Sequence, residues 1–292
     1  MIDRPKFTEY TSEQIKLGDI PIRYDSFELK MDGMWGCMVV SGKEYSIYSR
    51  TNKIKKSGEM PDVGRVCGNH IFVGEFMKGS HWGHKMGLDG KFFIFDCLKY
   101  RGEDISGYTL KQRRKYCKVW LENYRKASHH GLSEVDSRWI EPIAKYEIAD
   151  LEYIWKNYVV NEAYEGVVLK DSNSTYNEGK AWARIKNRAE IDYMCIGFEP
   201  ADKESRYNGQ VGAVTGSLID KPCQVQCGGL TDKQRMLFTK DPDYYMGRIF
   251  TATGHGYYPS GSLRHPKFNR WREDKFVQEC TYDQIPEIIR GS

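Results

Sequence analysis

The sequence predicts an α+β fold in which a domain of short strands and two helices is followed by a small β-barrel. Apolar stretches separated by Gly, Asn, Asp and Pro recur along the 292 residues, as is typical of strands joined by turns. Apolar residues at helical spacing occur in two windows of the first part. Beyond residue 188 the strand-like segments come at shorter intervals. A chain of this length can hold two domains with separate cores.

The first part begins with predicted strands in residues 22–50, broken by turns at Gly33 and Gly42. Residues 50–56 are rich in Arg and Lys and predict a basic loop, either solvated or following a phosphate backbone. Further strands are predicted in residues 69–76, 91–98, 165–170 and 182–186.

The two predicted helices cover residues 109–124 and 148–161. In the first, Leu110, Cys117 and Leu121 form an apolar stripe, and Arg and Lys cover another face. In the second, the aromatic residues recur at helical spacing, which favours a role in the core.

The second part is predicted to be a β-barrel of the oligonucleotide-binding type, because about five strands with one helix in about a hundred residues are typical of that fold. The character of the sequence changes near residues 187–190, where we place the domain boundary. The predicted elements are strands in residues 192–198, 212–218, 223–227 and 248–253 and a helix in residues 231–238.

The composition excludes several classes of protein. No apolar run reaches membrane-spanning length, and residues 1–16 lack the apolar centre of a signal peptide, so we expect a cytoplasmic protein. The eight cysteines are scattered, which argues against a zinc ribbon and favours reduced thiols. The net charge of +4 permits binding to nucleic acid without requiring it.

Residues 27–33 contain a candidate reactive lysine. Lys30 lies two residues before Asp32, and Gly33 follows, in a pattern that predicts strand, tight loop and strand. A partly desolvated lysine loses some of its preference for the charged form and becomes an amine nucleophile. Asp32 could bind a metal, and Gly33 would let the backbone approach a phosphate. The alternative is a hairpin whose Lys30 and Asp32 are solvated.

Other charged residues recur at the ends of predicted strands. They are Glu75, Asp96, Glu165, Arg184 and Lys186, with Arg50 in a loop. Such charges are buried only if they pair or bind something. A lysine, carboxylates that hold a divalent metal and further cations are the set that phosphoryl transfer needs.

Seven motifs occur in an order that matches a known family. They are Lys30-Met-Asp-Gly33, Ser49-Arg50, Val73-Gly-Glu75-Phe, Phe93-Ile-Phe95-Asp96, Glu165-Gly-Val-Val-Leu-Lys170, Trp182-x-Arg184-x-Lys186 and Arg264-His-Pro-Lys-Phe-Asn-Arg-Trp-Arg-Glu-Asp-Lys275. In this order the chain resembles an ATP-dependent DNA ligase of the covalent nucleotidyltransferase superfamily, of the minimal two-domain viral or bacterial type.

The resemblance implies an enzyme that seals nicks between a 5′-phosphate and a 3′-hydroxyl in duplex DNA, through a lysyl-AMP and a DNA-adenylate, in replication, repair or recombination. It implies a nucleotidyltransferase (adenylation) domain of antiparallel sheets with flanking helices in residues 1–188 and an OB-fold in residues 189–292. The co-substrate is ATP, with Mg²⁺ or Mn²⁺. The expected partner is nicked double-stranded DNA, which a monomer clamps with both domains.

The resemblance also implies roles for individual residues. Lys30 would attack the α-phosphate of ATP, Glu28 would accept from the adenine amino group, and Phe95 would stack on the base. The implied catalytic residues are Lys30, Asp32, Glu165, Lys186, Asp274 and Lys275. The implied nucleotide contacts are Glu28, Leu29, Arg50, Glu75, Phe95, Arg184, Lys186 and Arg272, and the implied metal ligands are Asp32, Glu75 and Glu165.

Basic residues of the loop and of the first helix are the candidate contacts to the DNA backbone, because phosphate contacts dominate such binding. They are Lys53, Lys55, Lys56, Arg113, Arg114, Lys115 and Lys118. For the helix, the alternative is a solvated charged face.

The sequence departs from the family pattern in three places. Trp35 stands where the family usually has arginine, and Arg184 stands where lysine is usual. No DNA-binding domain precedes Lys30, and the loop around residues 199–211 is short, so we expect a compact enzyme. The alternatives are an RNA ligase, an mRNA capping guanylyltransferase, or a non-catalytic nucleic-acid-binding protein; an NAD⁺-dependent ligase would need an added module and a four-cysteine zinc site.

Overall fold

A computed structural model describes residues 7–10, 15, 18–61, 64–79, 83–84, 86–129, 139–160, 164–176, 178–221, 223–258 and 260–285. The strands are β1 (Phe7–Tyr10), β2 (Ser26–Lys30), β3 (Met34–Ser41), β4 (Glu44–Ser49), β5 (Ile54–Glu59), β6 (His70–Phe76), β7 (Phe92–Tyr100), β8 (Glu103–Asp104), β9 (Ile140–Pro142), β10 (Lys145–Glu147), β11 (Gly166–Lys170), β12 (Trp182–Lys186), β13 (Ala189–Pro200), β14 (Val211–Ser217), β15 (Gln224–Cys227), β16 (Ile249–Gly254) and β17 (Lys267–Arg272). The helices are α1 (Leu110–His129), α2 (Leu151–Ile154) with the π-helical segment Trp155–Val160, and α3 (Asp232–Lys240). Single 3₁₀ turns cover Ile148–Asp150, Asp243–Tyr245, Val277–Glu279 and Tyr282–Gln284.

The helices and strands confirm a mixed α+β architecture rich in sheet. The chain divides into two compact units. The first comprises Met1–Trp155 and Tyr164–Ile185, and the second comprises Lys156–Ala163 and Lys186–Ser292. The sequence did not predict that residues 156–163 group with the second unit. No helix in the described ranges is long and apolar enough to cross a membrane.

Two sheets form the first unit. One has the strand order β1-β12-β11-β2-β10, and the other, of seven strands, runs β5-β4-β3-β6-β7-β8 with β9 beside β7. Helix α1 packs on β7 and β9. The centre of its Trp120 ring lies 4.7 Å from that of Phe72 and 5.2 Å from that of Tyr124, and these aromatic residues belong to one hydrophobic core of the unit.

The second unit contains one antiparallel sheet in the order β15-β14-β13-β16-β17. A parallel bridge joins Gly228, just after β15, to Lys267 at the start of β17. The Phe268 amide donates to the Gly228 carbonyl at 3.0 Å, so the two edge strands of the sheet meet. Helix α3 lies between β15 and β16 in the chain and begins at Thr231, whose side chain accepts from the Gln234 amide.

The predicted elements are largely confirmed, with exceptions that have physical causes. Helix α1 begins as expected, because the Thr109 hydroxyl accepts from the Gln112 amide at its N-terminus. The helix predicted for 148–161 is instead a 3₁₀ turn, one short α-helix and a π-helical segment. Lys55 and Lys56 lie on β5, not in a loop. Strands β1, β9 and β10 are three or four residues long, too short to give a periodic signal.

Two predicted DNA contacts on α1 require correction. Arg113 is fully buried and donates from Nε and Nη2 to the Asp96 carboxylate, at 2.8 Å in both cases. Arg114 is ion-paired with Glu28, whose side chain is 2% exposed. Both guanidiniums neutralise interior carboxylates, so neither is available to a DNA phosphate. Lys115 and Lys118 of the same helix are exposed.

We predict that Arg113→Ala lowers the free energy of unfolding by about 3 to 5 kcal/mol, because it leaves the Asp96 carboxylate buried without its partner. Urea denaturation followed by tryptophan fluorescence measures this change. The matched control is Lys115→Ala on the same helix, which should stay within about 0.5 kcal/mol of the wild type. Equal effects of the two substitutions would contradict a stabilising role for the buried pair.

Candidate active site

A cleft between the two sheets of the first unit brings together several predicted site residues. One wall carries Glu28, Leu29 and Lys30 of β2, with Lys170 and Trp182 from β11 and β12; the other carries Trp35, Glu75 and Phe95 of β3, β6 and β7. Glu28 and Lys30 alternate with Leu29 along β2, so their side chains share one face of the strand. The cleft brings together Glu28, Lys30, Glu75 and Phe95, four residues to which the motif resemblance assigns roles.

The reactive-lysine candidate is paired with a carboxylate. The Lys30 ammonium donates a hydrogen bond to Glu165, and both side chains are nearly buried, at 13% and 12% exposure. The register of β2 against β11 sets Gly166 opposite Lys30 and so brings the preceding Glu165 to the amine. Gly166 has φ 145°, a conformation that side-chain-bearing residues rarely adopt.

The turn after Lys30 lies directly against β6. A β-carbon added at Gly33 would fall 2.7 Å from the Met77 sulfur and 2.9 Å from the Glu75 Cγ. A side chain at position 33 would clash with these atoms, so the position requires glycine. The close contact brings the segment that contains Asp32 next to Glu75. Asp32 itself is partly buried.

Glu28 is the most deeply buried carboxylate of the cleft and is held by two cations. Arg114 reaches it from α1, and the Lys170 Nζ lies 3.2 Å from its Oε2. The Lys170 ammonium also lies 2.8 Å from the centre of the Trp182 ring and 4.9 Å from that of Phe95. Burial, reinforced by the nearby Arg114 guanidinium, lowers the pKa of Lys170 well below its usual value.

Aromatic rings line the space above these charges. Phe95 and Trp182 meet edge to face at 5.4 Å, and Phe7 contacts Trp182 at 5.9 Å. The indole N–H groups of Trp35 and Trp182 are buried and have no hydrogen-bond partner within the described residues. The cleft thus offers flat apolar surfaces, two indole donors and a mixed set of charges to a ligand.

Other predicted residues lie elsewhere. Arg50 is exposed after β4 and does not line the cleft. Arg184 on β12 pairs with Glu9 of β1, and its guanidinium lies 5.5 Å from the Phe7 ring. Lys186 ends β12 and is partly buried.

The predicted C-terminal site residues form an ion-pair network of their own in the second unit. Arg272 donates to Asp274 and to Asp192, and the Lys275 Nζ lies 3.2 Å from Asp192. The Arg272 guanidinium holds the pKa of the Asp274 carboxyl well below its usual range, because the hydrogen bonds favour the ionised form.

The metal prediction is only partly matched by the structure. Within the described ranges, no group of three or more His, Cys, Asp or Glu side chains is placed to hold a metal ion. Asp32, Glu75 and Glu165 therefore do not form a three-ligand protein site, and Glu165 is engaged by Lys30. Their carboxylate oxygens nevertheless fit Mg²⁺ chemically, since this ion is commonly held by one or two carboxylates together with substrate phosphates.

Several residues of the cleft were missed by the sequence interpretation. Lys170 and Trp182 belong to recognised motifs but received no role, and Arg114 was assigned to DNA. A lysine that ends an otherwise apolar strand was the available signal, because a buried cation needs a nearby carboxylate. Nothing in the sequence identified Arg114 as the partner of a glutamate 86 positions earlier.

Comparison with known proteins agrees with the motif resemblance. Residues 78–186 match the family model described as "ATP dependent DNA ligase domain". DNA ligase 2 of Methanosarcina acetivorans is 27% identical over 234 residues, which cover 70% of this chain and 39% of that protein. DNA ligase of Enterobacteria phage T3 is 26% identical over 136 residues, covering 44% of this chain and 39% of that protein. The chain thus spans about two fifths of the length of these relatives.

A solved structure of a Lig E DNA ligase is also similar. It has a TM-score of 0.60 at 16% identity, with 93% of this chain and 100% of that chain covered. At this identity the comparison shows a shared fold. The resemblance to ATP-dependent DNA ligases is supported by the family match over residues 78–186.

We predict that Glu28→Gln destabilises the first unit more than Lys170→Met does. The first substitution leaves two buried cations facing each other, at a cost of about 3 kcal/mol, whereas the second leaves Glu28 paired with Arg114. In the double variant, Lys170→Met should recover at least about 1 kcal/mol of that loss. Urea denaturation of the four proteins measures the coupling, and strictly additive effects would contradict this charge arrangement.

Proposed function

We propose that this chain, whose residues 78–186 match the ATP dependent DNA ligase domain, is an ATP-dependent DNA ligase that seals nicks in replication, repair or recombination. The observation that carries the proposal is the Lys30 amine, held by Glu165 at a cleft that also contains Glu28 and Phe95. An amine nucleophile beside a base-binding pocket is what nucleotide transfer through a covalent intermediate requires.

In the first step, the Lys30 nitrogen attacks the α-phosphorus of ATP. A nitrogen–phosphorus bond forms, the bond from the α-phosphorus to the bridging oxygen breaks, and pyrophosphate leaves. The ammonium must lose a proton before its lone pair can attack, and Glu165 is our candidate acceptor because it already hydrogen bonds to that group. The product is a lysyl-AMP phosphoramidate.

The cleft supports four of the assigned nucleotide contacts, because its lining includes Glu28, Leu29, Glu75 and Phe95. Phe95 would stack on adenine, and Glu28 would accept from the adenine amino group. Arg114 and Lys170 do not prevent this, since an ionised carboxylate has about four acceptor sites. Arg50 and Glu75 are assigned to the ribose region and Lys186 with Arg184 to the α-phosphate. Leu29 borders the base, and Arg272, Asp274 and Lys275 are assigned to the outer phosphates.

A divalent cation is part of the proposal. Asp32, Glu75 and Glu165 are the residues that would hold Mg²⁺ or Mn²⁺ together with oxygens of the triphosphate. When bound, the ion supplies positive charge that stabilises negative charge on the reacting phosphates.

The remaining steps transfer the nucleotide to DNA. The 5′-phosphate oxygen at a nick attacks the AMP phosphorus, the bond to Lys30 breaks, and the lysine recovers its amine. The 3′-hydroxyl oxygen then attacks the 5′-phosphate, loses its proton and forms the phosphodiester, and AMP leaves with the former bridging oxygen.

We further propose that residues 1–188 are the adenylation domain and residues 189–292 an OB-fold domain. The strand order β15-β14-β13-β16-β17, the parallel bridge between Gly228 and Lys267 and the helix between the third and fourth strands support the OB assignment. The monomeric state and the cytoplasmic location stay predictions.

We predict that incubation with α-labelled ATP and Mg²⁺ transfers label to the protein, that Lys30→Ala abolishes the transfer, and that nicked DNA removes the label as it is sealed. The control Lys30→Arg keeps the charge but not a comparable nucleophile and should also fail. Electrophoresis of the labelled protein and of the DNA measures both steps.

Three outcomes of this experiment contradict the proposal. Label from GTP instead of ATP indicates a capping guanylyltransferase, and discharge only to nicked RNA indicates an RNA ligase. The absence of label from either nucleotide indicates a nucleic-acid-binding protein.

We predict that Lys115→Ala with Lys118→Ala, or Lys53→Ala with Lys55→Ala, weakens binding to nicked DNA. Each lost phosphate contact should reduce the slope of log affinity against log salt by about 1. Lys56, whose ammonium lies 3.8 Å from the centre of the Trp139 ring, is left out of both pairs. The control is Lys233→Ala on α3, an exposed lysine with no assigned contact. Fluorescence anisotropy at several salt concentrations measures binding to nicked DNA. Slopes equal to that of the wild type would show that these lysines do not contact the DNA backbone.

A further inference from the structure

Asp192 in the second unit is a nearly buried carboxylate, 7% exposed, that two cations share. The Arg272 Nη1 donates to Asp192 Oδ2 at 3.0 Å and to Oδ1 at 3.2 Å, and the Lys275 Nζ lies 3.2 Å from Oδ2. The Thr251 hydroxyl donates to Oδ1 at 2.5 Å. Both carboxylate oxygens therefore have partners, and the side chains of Arg272 and Lys275 lie next to the same carboxylate.

The sheet fixes the position of this carboxylate. The register of β13 against β16 sets Asp192 opposite Thr251, and that of β16 against β17 sets Ile249 opposite Arg272. The Gln284 side chain accepts from the Asp192 amide at 2.8 Å and donates to the Asp192 carbonyl at 3.0 Å. The Gln284 side chain thus holds both the amide and the carbonyl of Asp192.

The two carboxylate partners of the Arg272 guanidinium differ in burial. The inner edge contacts Asp192, whereas Nε and Nη2 on the outer edge donate to Asp274 at 2.8 and 2.7 Å. The Asp274 side chain is 68% exposed. An exposed ion pair contributes little stability and exchanges readily, but breaking a buried one is costly.

An anionic ligand can therefore replace Asp274 on the outer edge while Asp192 keeps the inner edge. The same reasoning applies to Lys275, whose other carboxylate neighbour, Glu279, is 3.7 Å away and 46% exposed. Asp192 is therefore the fixed counter-ion of the two cations, and Asp274 and Glu279 are the exchangeable ones.

We infer that Asp192 is a positioning residue for the nucleotide-loading step, holding Arg272 and Lys275 side by side so that their outer faces receive the phosphates of the leaving pyrophosphate. This inference rests on the proposed function and adds a residue to it. Asp192 acts only through the two cations, whose preorganised charge stabilises the developing negative charge.

The test compares two reactions of the full chain carrying Asp192→Asn, which keeps the shape of the side chain and removes its charge. Self-adenylation with labelled ATP should slow by about ten- to a hundredfold, mainly in the rate at saturating ATP. Sealing of pre-adenylated nicked DNA without ATP needs no pyrophosphate departure and should stay within about twofold of the wild type. The matched control is Glu190→Gln, an exposed carboxylate on the same strand, which should alter neither reaction.

Two results would overturn the inference. One is self-adenylation by Asp192→Asn at the rate of Glu190→Gln; the other is an equal loss of both reactions, which indicates a structural role. If Asp192→Asn melts at a lower temperature, Asp192→Glu decides, because it restores the charge and must recover self-adenylation relative to Asp192→Asn. A wild type that takes no label from ATP refutes the proposed function instead, so the two failures are distinguishable.

Discussion

The buried carboxylate of Glu28 lies between the guanidinium of Arg114 and the ammonium of Lys170, two residues before the proposed nucleophile Lys30. Removing Glu28 leaves two buried cations without a counter-ion, whereas removing either cation leaves Glu28 with one partner, so the arrangement depends most on Glu28. Glu28 and Lys170 belong to the sheet that contains β2 and β11, whereas Arg114 comes from α1, which packs on β7 and β9. The ion pairs therefore join the two walls of the cleft, and the geometry of the proposed adenine site depends on them.

Consecutive arginines on α1 serve the two sheets separately. Adjacent helical residues point about 100° apart, so Arg113 and Arg114 cannot reach the same partner easily. Arg113 turns to Asp96 of β7, and Arg114 turns to Glu28 of β2. The helix is thus fixed to both walls by charge as well as by the packing of Trp120 in the core. This arrangement gives the cleft a rigid frame, as positioning of a nucleophile within a fraction of an ångström requires.

The second unit also contains a nearly buried carboxylate with two cationic neighbours, but the exposure of its surroundings differs. Asp192, like Glu28, is a nearly buried carboxylate with two cationic neighbours, but its partners Arg272 and Lys275 also face exposed carboxylates. In the cleft, Glu28 and both of its cationic partners are largely buried. In the second unit, the difference in exposure between Asp192 and Asp274 gives the cations one fixed and one replaceable side. Fixed charge suits base recognition, whereas exchangeable charge suits groups that arrive as a triphosphate and leave as pyrophosphate.

The sequence alone determined the α+β class, most strands and the start of α1, and its motif resemblance implied that Glu28, Lys30, Glu75 and Phe95 belong to one site. The class and the elements follow from apolar patterning and turn residues, whereas the site grouping came from a motif order that resembles a known family. Only the tertiary structure decided the partners of the buried charges. A basic stretch on a helix looks the same whether it is solvated or turned inward, so Arg113 and Arg114 were assigned to DNA. Whether a charge is buried depends on which strand, distant in the sequence, packs over it. The residues next to that charge in the sequence do not identify the strand.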